Sequence, residues 1–203
     1  MQKPAETNYP IIEPITQRWS PRTFNSQPVP KEVLMSLLEA ARWAPSSRNE
    51  QPWFFIITTQ QDNPEAYQRL YNCLSEGNQR WAGQAPILML AVARPAVSSD
   101  GHPNRFAWYD TGQAVAYLSI QATAHNLYLH QMGGFSADKA RAATNIPAEY
   151  EPVVAIALGY MGDATTLPED IQARNAAPRS RKALESFVFS ERWGNPFNHM
   201  KPR

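Results

Sequence analysis

Arg18 and Arg22 stand either side of Ser20, and Arg179 and Arg181 stand either side of Ser180, with Lys182 next in line. Spacings of i, i+2 and i, i+4 let both members of a pair converge on one anion. A guanidinium presents a planar fork of N–H donors that matches phosphate oxygens, and a serine hydroxyl adds a short neutral donor. Four arginines and a serine meeting at one point would hold a phosphate dianion. Taken alone, either pair reads more simply as solvated surface arginines. A further constellation shifts that balance.

That constellation is Pro45-Ser46-Ser47-Arg48-Asn49-Glu50-Gln51-Pro52-Trp53. It is dense in small hydroxyl and amide side chains, which can offer donors to a flat polar heterocycle. It also fits a plain turn with a Ser or Asx cap. Gln51 would then simply be pushed to an extended conformation by Pro52 to start a strand.

Other chemistries are excluded by missing motifs. The chain has no GxGxxG, no Walker-type phosphate loop, no HExxH and no GxSxG. Its histidines are His102, His125, His130 and His199. His125 and His130 are five apart and do not share a helix face, so they read as packing or hydrogen-bonding residues rather than metal ligands. No metal site is expected. The single cysteine, Cys73, rules out an internal disulfide and a cysteine metal cluster, and fits a reducing compartment.

The elements that must position these residues are partly legible. Residues 1–13 read as an extended arm with Pro4 and Pro10. A helix starts at Pro30, shows an apolar face of Val33, Leu34, Leu37, Leu38 and Ala41, and is stopped by Pro45. Trp53 to Thr59 and Pro86 to Ala93 read as buried strands, with helices over 64–75 and 78–84 between them. An irregular loop over 94–109 ends in Phe106, Trp108 and Tyr109. Asp110 is expected to cap a long helix from Thr111 to Met132 that lacks a charged face. Such a helix is buried on most sides, most easily at a subunit interface. Gly133-Gly134 would end it, a short helix would cover 138–144, and Pro152 to Leu158 would be a strand. Buried strands joined by helices point to an α/β or α+β sheet. Residues 161–203 have little periodicity apart from Phe187-Val188-Phe189, and so long an irregular tail is expected to pack along a partner subunit.

The chain has 203 residues, enough for one domain, 1–203, or one subunit of a tight dimer. Hydrophobic residues make up 43% and charged residues 18%, as in ordinary globular proteins, and the formal net charge of +1 gives no reason to expect nucleic acid. The longest apolar run, Ile87 to Ala93, is far too short to span a membrane. Met1 to Pro10 is polar and lacks the pattern of a signal peptide, so a cytoplasmic location is expected.

Taken in order, the motifs resemble one known family. Arg18-Trp19-Ser20-Pro21-Arg22-Thr23-Phe24 resembles the arginine-x-serine-x-basic-x-phenylalanine signature of nitroreductases. Ala44 to Phe54 resembles the family's second motif, Asn78 to Pro86 the following helix and strand, Gly133-Gly134-Phe135 the turn facing the flavin, and Pro178-Arg179-Ser180-Arg181-Lys182 the C-terminal phosphate motif. The likeness runs from about residue 14 to residue 189.

The resemblance implies an α+β fold with a mixed central sheet flanked by helices. It also implies an intertwined homodimer whose Phe187-Val188-Phe189 segment joins the partner's sheet, with two FMN molecules between the subunits. Arg18, Trp19, Ser20, Arg22, Arg179 and Arg181 would serve the FMN phosphate and its polar end. Asn78 would bond the pyrimidine edge or ribityl chain. Pro45, Ser46, Ser47 and Asn49 would reach in from the other subunit. Gln131 and Met132 would cover one ring face, and the Gly134 N–H would lie near flavin N5, with Gly133 allowing close approach. Some relatives carry lysine where Trp81 stands, which leaves Arg22 as the cation for the reduced ring.

The chemistry so implied is hydride transfer from NAD(P)H to the flavin and on to a nitroaromatic or quinone, in ping-pong order through one shared pocket. No side chain need be a nucleophile. Arg48, Tyr67, Tyr71, Phe106, Trp108 and Tyr109 are the candidates to line the substrate pocket; plain packing is their alternative role. A specialised flavin enzyme, such as a dehalogenase or ring oxidase, and a non-catalytic FMN carrier remain alternatives.

Overall fold

A computed structural model describes residues 2–197 of the chain. Its centre is a four-stranded sheet in the order β1-β2-β4-β3, built from β1 (Trp53–Thr59), β2 (Ile87–Ala93), β3 (Leu127–Met132) and β4 (Glu151–Tyr160). Every neighbouring pair is antiparallel. The expected mixed sheet is thus antiparallel throughout within one chain. All seven residues of β2 are buried, as the unbroken run of apolar residues requires for a central strand covered on both faces.

The period of two divides that strand between two cores. Leu88, Leu90 and Val92 face a cluster with Tyr67, Leu70, Trp81, Ala140 and Ile171. Those residues come from α3 (Pro64–Tyr71), α4 (Glu76–Ala82), α6 (Ala137–Thr144) and α7 (Glu169–Ala176). Ile87, Met89 and Ala91 face a second cluster with Leu37, Ala41, Ala114, Val115 and Leu118, from α2 (Lys31–Arg42) and α5 (Ala107–Ala124). Each fully buried Leu or Met contributes roughly 1.5–3 kcal/mol. Both sheet faces are therefore covered by helices, which leaves the strand ends and edges to carry function.

Several expectations are corrected. The long helix read as 111–132 is two elements: α5 ends at Ala124, and β3 begins at Leu127 after a turn in which Asn126 takes φ 59°. Leu127 and Leu129 are buried at a spacing of two, which is a strand signature that the apolar composition disguised. Gly133-Gly134 consequently follows a strand and ends no helix. Asp110 is not the N-cap; it sits inside the first turns of α5 and is buried. The tail is less irregular than expected, since α7 lies within it. The arm over 1–13 is extended up to α1 (Glu13–Gln17). His199 and the end of the 161–203 tail lie outside the described residues. No helix among the described residues is long and apolar enough to cross a membrane.

Candidate functional site

Arg18 comes together with Arg179 and Arg181, whereas Arg22 neighbours Arg174 instead. The Arg18 guanidinium is held below its ordinary pKa, first by burial and then by the positive charges of Arg179 and Arg181. Arg179 is lowered likewise, by burial and by Arg181. Arg18 Nη1 lies 3.3 Å from Ser20 Oγ. Arg22 is lowered by burial and by Arg174, a fifth arginine that sequence reasoning passed over. Among the described residues, none of Arg18, Arg22, Arg179 and Arg181 is ion-paired to a carboxylate. Cations gathered from the two ends of a chain without acidic partners repel one another unless an anion is supplied.

The N-terminal arm makes the meeting possible. Lys3 Nζ donates to the backbone oxygens of Asn175 and Ala177 and lies 4.9 Å above the Trp19 ring. Arg179 Nη1 donates back to Lys3 O at 2.5 Å and to Thr16 O at 3.0 Å. The arm and the segment from Arg179 to Leu184 enclose a cleft of about 650 Å³. Lys3 has no motif around it, and only the fold reveals its role.

A second part of the site forms where β3 ends. Asn78 Nδ2 and the Ser75 N–H both donate to Gly134 O at 2.9 Å. A Cβ on Gly134 would lie 2.8 Å from both Asn78 Nδ2 and Ser75 Oγ, so any larger residue would push these two side chains aside, the first of them from its bond to Gly134 O. A Cβ on Gly133 would meet nothing within 4 Å, so the chain itself leaves that side of the turn open. Gln131 is exposed. Met132 is buried in the core, so it can offer only its backbone to a ligand. Trp81 is also buried, against Phe24 and His130, where no cation could be accommodated without a partner.

The Pro45–Pro52 loop has a strained backbone held by side-chain contacts. Arg48, Asn49 and Gln51 all take the left-handed conformation, with φ of 52°, 57° and 46°. Each costs about 1 kcal/mol or more in a non-glycine residue and persists only under constraint. Three contacts supply it. Ser46 Oγ accepts the Gln51 N–H at 3.0 Å, and Asp110 Oδ2 accepts the Ser47 N–H at 3.0 Å. Glu50 accepts the Ser98 hydroxyl and N–H, which hold its carboxyl below the usual range, with Arg94 nearby. Asp110→Ala is expected to leave the Ser47 N–H unpaired and cost about 1–3 kcal/mol. Denaturant unfolding measures this, and an unchanged midpoint would refute the anchoring role.

The six substrate candidates separate. Tyr67 is 5% exposed and donates to Ala82 O and Ala85 O, so it is a core residue. Tyr71 donates to Gln79 O and packs under Gly83. Tyr71 is half-buried and lines a small surface cleft with Gln60 and Gly83. Arg48, Phe106, Trp108 and Tyr109 are exposed, the last by 68%, beside the strained loop and at the start of α5.

The chain is similar to known proteins over most of its length. The sequence profile of the Nitroreductase family matches residues 15–160. A protein of Mycolicibacterium smegmatis, named only as an uncharacterized 15.4 kDa protein in the ask 5' region, is 38% identical over 132 residues, covering 65% of this chain and 87% of that one. A protein of Ralstonia nicotianae, provisionally named NADH dehydrogenase/NAD(P)H nitroreductase, is 30% identical over 166 residues, or 71% of this chain and 83% of its own. A crystal structure described as an oxidoreductase containing FMN superposes with a TM-score of 0.87 at 33% identity, covering 94% of this chain and 96% of that one. With its strand order, its paired arginines and a family profile over most of its length in agreement, this chain belongs to the nitroreductase family.

Proposed function

We propose that the protein is an FMN-dependent oxidoreductase that uses NAD(P)H to reduce small oxidised molecules. The observation that carries this reading is the convergence of Arg18 with Arg179 and Arg181, free of carboxylate partners, which suits a nucleotide phosphate dianion. The open side of Gly133, next to a glycine whose place is crowded by Asn78 and Ser75, suits a flat ring brought against backbone. The named FMN content of the similar crystal structure supports the same cofactor.

When bound, FMN supplies the redox chemistry, taking hydride from NAD(P)H and handing two electrons to a nitroaromatic or quinone acceptor. Arg18, Ser20, Arg22, Arg179 and Arg181 bind and orient the phosphate end. Asn78 is tied through its Nδ2 to Gly134 O, and its carbonyl oxygen would serve the pyrimidine edge or ribityl chain. The Gly134 N–H serves the centre of the ring. The exposed aromatics Phe106, Trp108 and Tyr109 and the Arg48 guanidinium select the acceptor.

A homodimer completes the site in this reading, with Pro45, Ser46, Ser47 and Asn49 reaching the partner's cofactor. The outer stripe of α5, with Tyr109, Gly112, Ala116 and Tyr117 exposed, supplies an apolar face of the kind that a subunit interface covers. β1 is a sheet edge, which the partner's Phe187-Val188-Phe189 segment extends in this proposal.

The test is optical. Purified protein is expected to be yellow with about one flavin per chain, and anaerobic NADH or NADPH is expected to bleach it within seconds to minutes. Colour that persists under excess of both donors would make it a carrier and not an enzyme. Protein that takes up no FMN would end the reading.

A further inference from the structure

We infer that His130 and Asn175 are positioning residues that clamp one peptide unit, the unit joining Pro21 to Arg22, and thereby lock the phosphate-binding segment to the ring turn. The inference rests on the FMN reading above. His130 Nδ1 lies 2.7 Å from Pro21 O, and the Arg22 N–H donates to Asn175 Oδ1 at 2.9 Å. That oxygen and that N–H belong to the same planar unit. A rigid plane held at both poles cannot rotate, so the direction in which Arg22 leaves the backbone, one residue on from the Ser20–Pro21 link, is fixed.

The two clamps come from distant elements. His130 is in β3, whose next residues are Gln131 to Gly134. Asn175 is 3% exposed near the end of α7, just before Arg179 and Arg181. Three segments assigned to the cofactor are therefore registered at a single peptide. A neutral imidazole facing a carbonyl oxygen must carry its proton on Nδ1 to donate. The half-buried ring is held against Trp81, with centroids 4.4 Å apart, so its donor has little freedom to turn away. Asn175 serves twice, since its backbone oxygen also accepts Lys3 Nζ.

The test compares His130→Phe, Asn175→Leu, the double variant and His130→Asn, which retains a short donor. FMN affinity by fluorescence quenching is expected to fall about tenfold in each of the first two. Because both act through one peptide, the double variant is expected to lose far less than the product of the two. His130→Asn is expected to stay close to wild type. Hydrogen exchange read on the purified protein supplies a measure independent of flavin. The Arg22 amide is expected to exchange about a hundredfold faster in Asn175→Leu while the Leu90 amide is unmoved. Folded variants with wild-type affinity and unchanged Arg22 exchange would overturn the clamp. A loss in His130→Asn as large as in His130→Phe would show that a restored donor does not restore binding, and would overturn it too. If the wild type itself binds no FMN, the proposed function fails, and Arg22 exchange still decides whether the clamp exists.

Discussion

Replacing Arg179 and Arg181 together by Ala is expected to weaken FMN binding about a hundredfold to ten-thousandfold, since each charge-assisted bond to a phosphate contributes about 1.5–3 kcal/mol. The two arginines are not equivalent. Arg181 donates within the structure only to the neighbouring Ser180 O, so Arg181→Ala reports mainly on the anion. Arg179 also holds Lys3 O and Thr16 O, so Arg179→Ala additionally frees the N-terminal arm. Affinity of the wild type should fall as salt rises, and this dependence should flatten in the double variant. Arg69→Ala, on the exposed side of α3, serves as the control for loss of a surface charge. Equilibrium dialysis or fluorescence titration measures the effect. Full flavin occupancy in the double variant would remove the phosphate assignment.

The second large effect concerns pH. Burial pushes the His130 pKa down to about 4, with Arg22 and Arg18 adding to the depression, while hydrogen bonding to Pro21 and Ser20 backbone opposes it. The unfolded chain binds a proton on this side chain below about 6.5, where the folded chain does not. Unfolding therefore takes up a proton between the two values, and the stability that His130 allows at neutral pH is lost as pH falls from about 6.5 to about 4, then changes no further. The loss amounts to about 3 kcal/mol. His130→Phe removes the titrating group. Its stability is expected to fall about 3 kcal/mol less than that of wild type over the same interval, at equal protein concentration. Parallel stability curves for the two proteins would show that His130 is not buried as described.

These residues mark the limit of what sequence alone discloses. The helix over Lys31–Arg42 and the strands at Trp53 and Ile87 were legible because burial imposes a period or an unbroken apolar run. The arginine pairs were legible as types and spacings, although their meeting was not. β3 was hidden because Leu127 to Met132 continues an apolar stretch whose helical part ends only at Ala124. Tyr67 turned out to be a core residue because an aromatic in a helix looks the same facing the core or a pocket. His130 and Asn175 carry no pattern at all. Each acts on backbone atoms more than a hundred positions away, and only the folded chain defines such a relation.

The strand order has a consequence for synthesis. β2 finds β1 at once, but its other flank waits for β4, which begins at Glu151, long after β2 ends at Ala93. At about 5–20 residues per second, the nascent chain leaves the ribosome for several seconds with Ile-Leu-Met-Leu-Ala-Val-Ala open along one edge. Such a ribbon is a template for the same ribbon on a neighbouring chain. Holdase chaperones should therefore raise the soluble yield of this protein more than they raise its final activity per molecule.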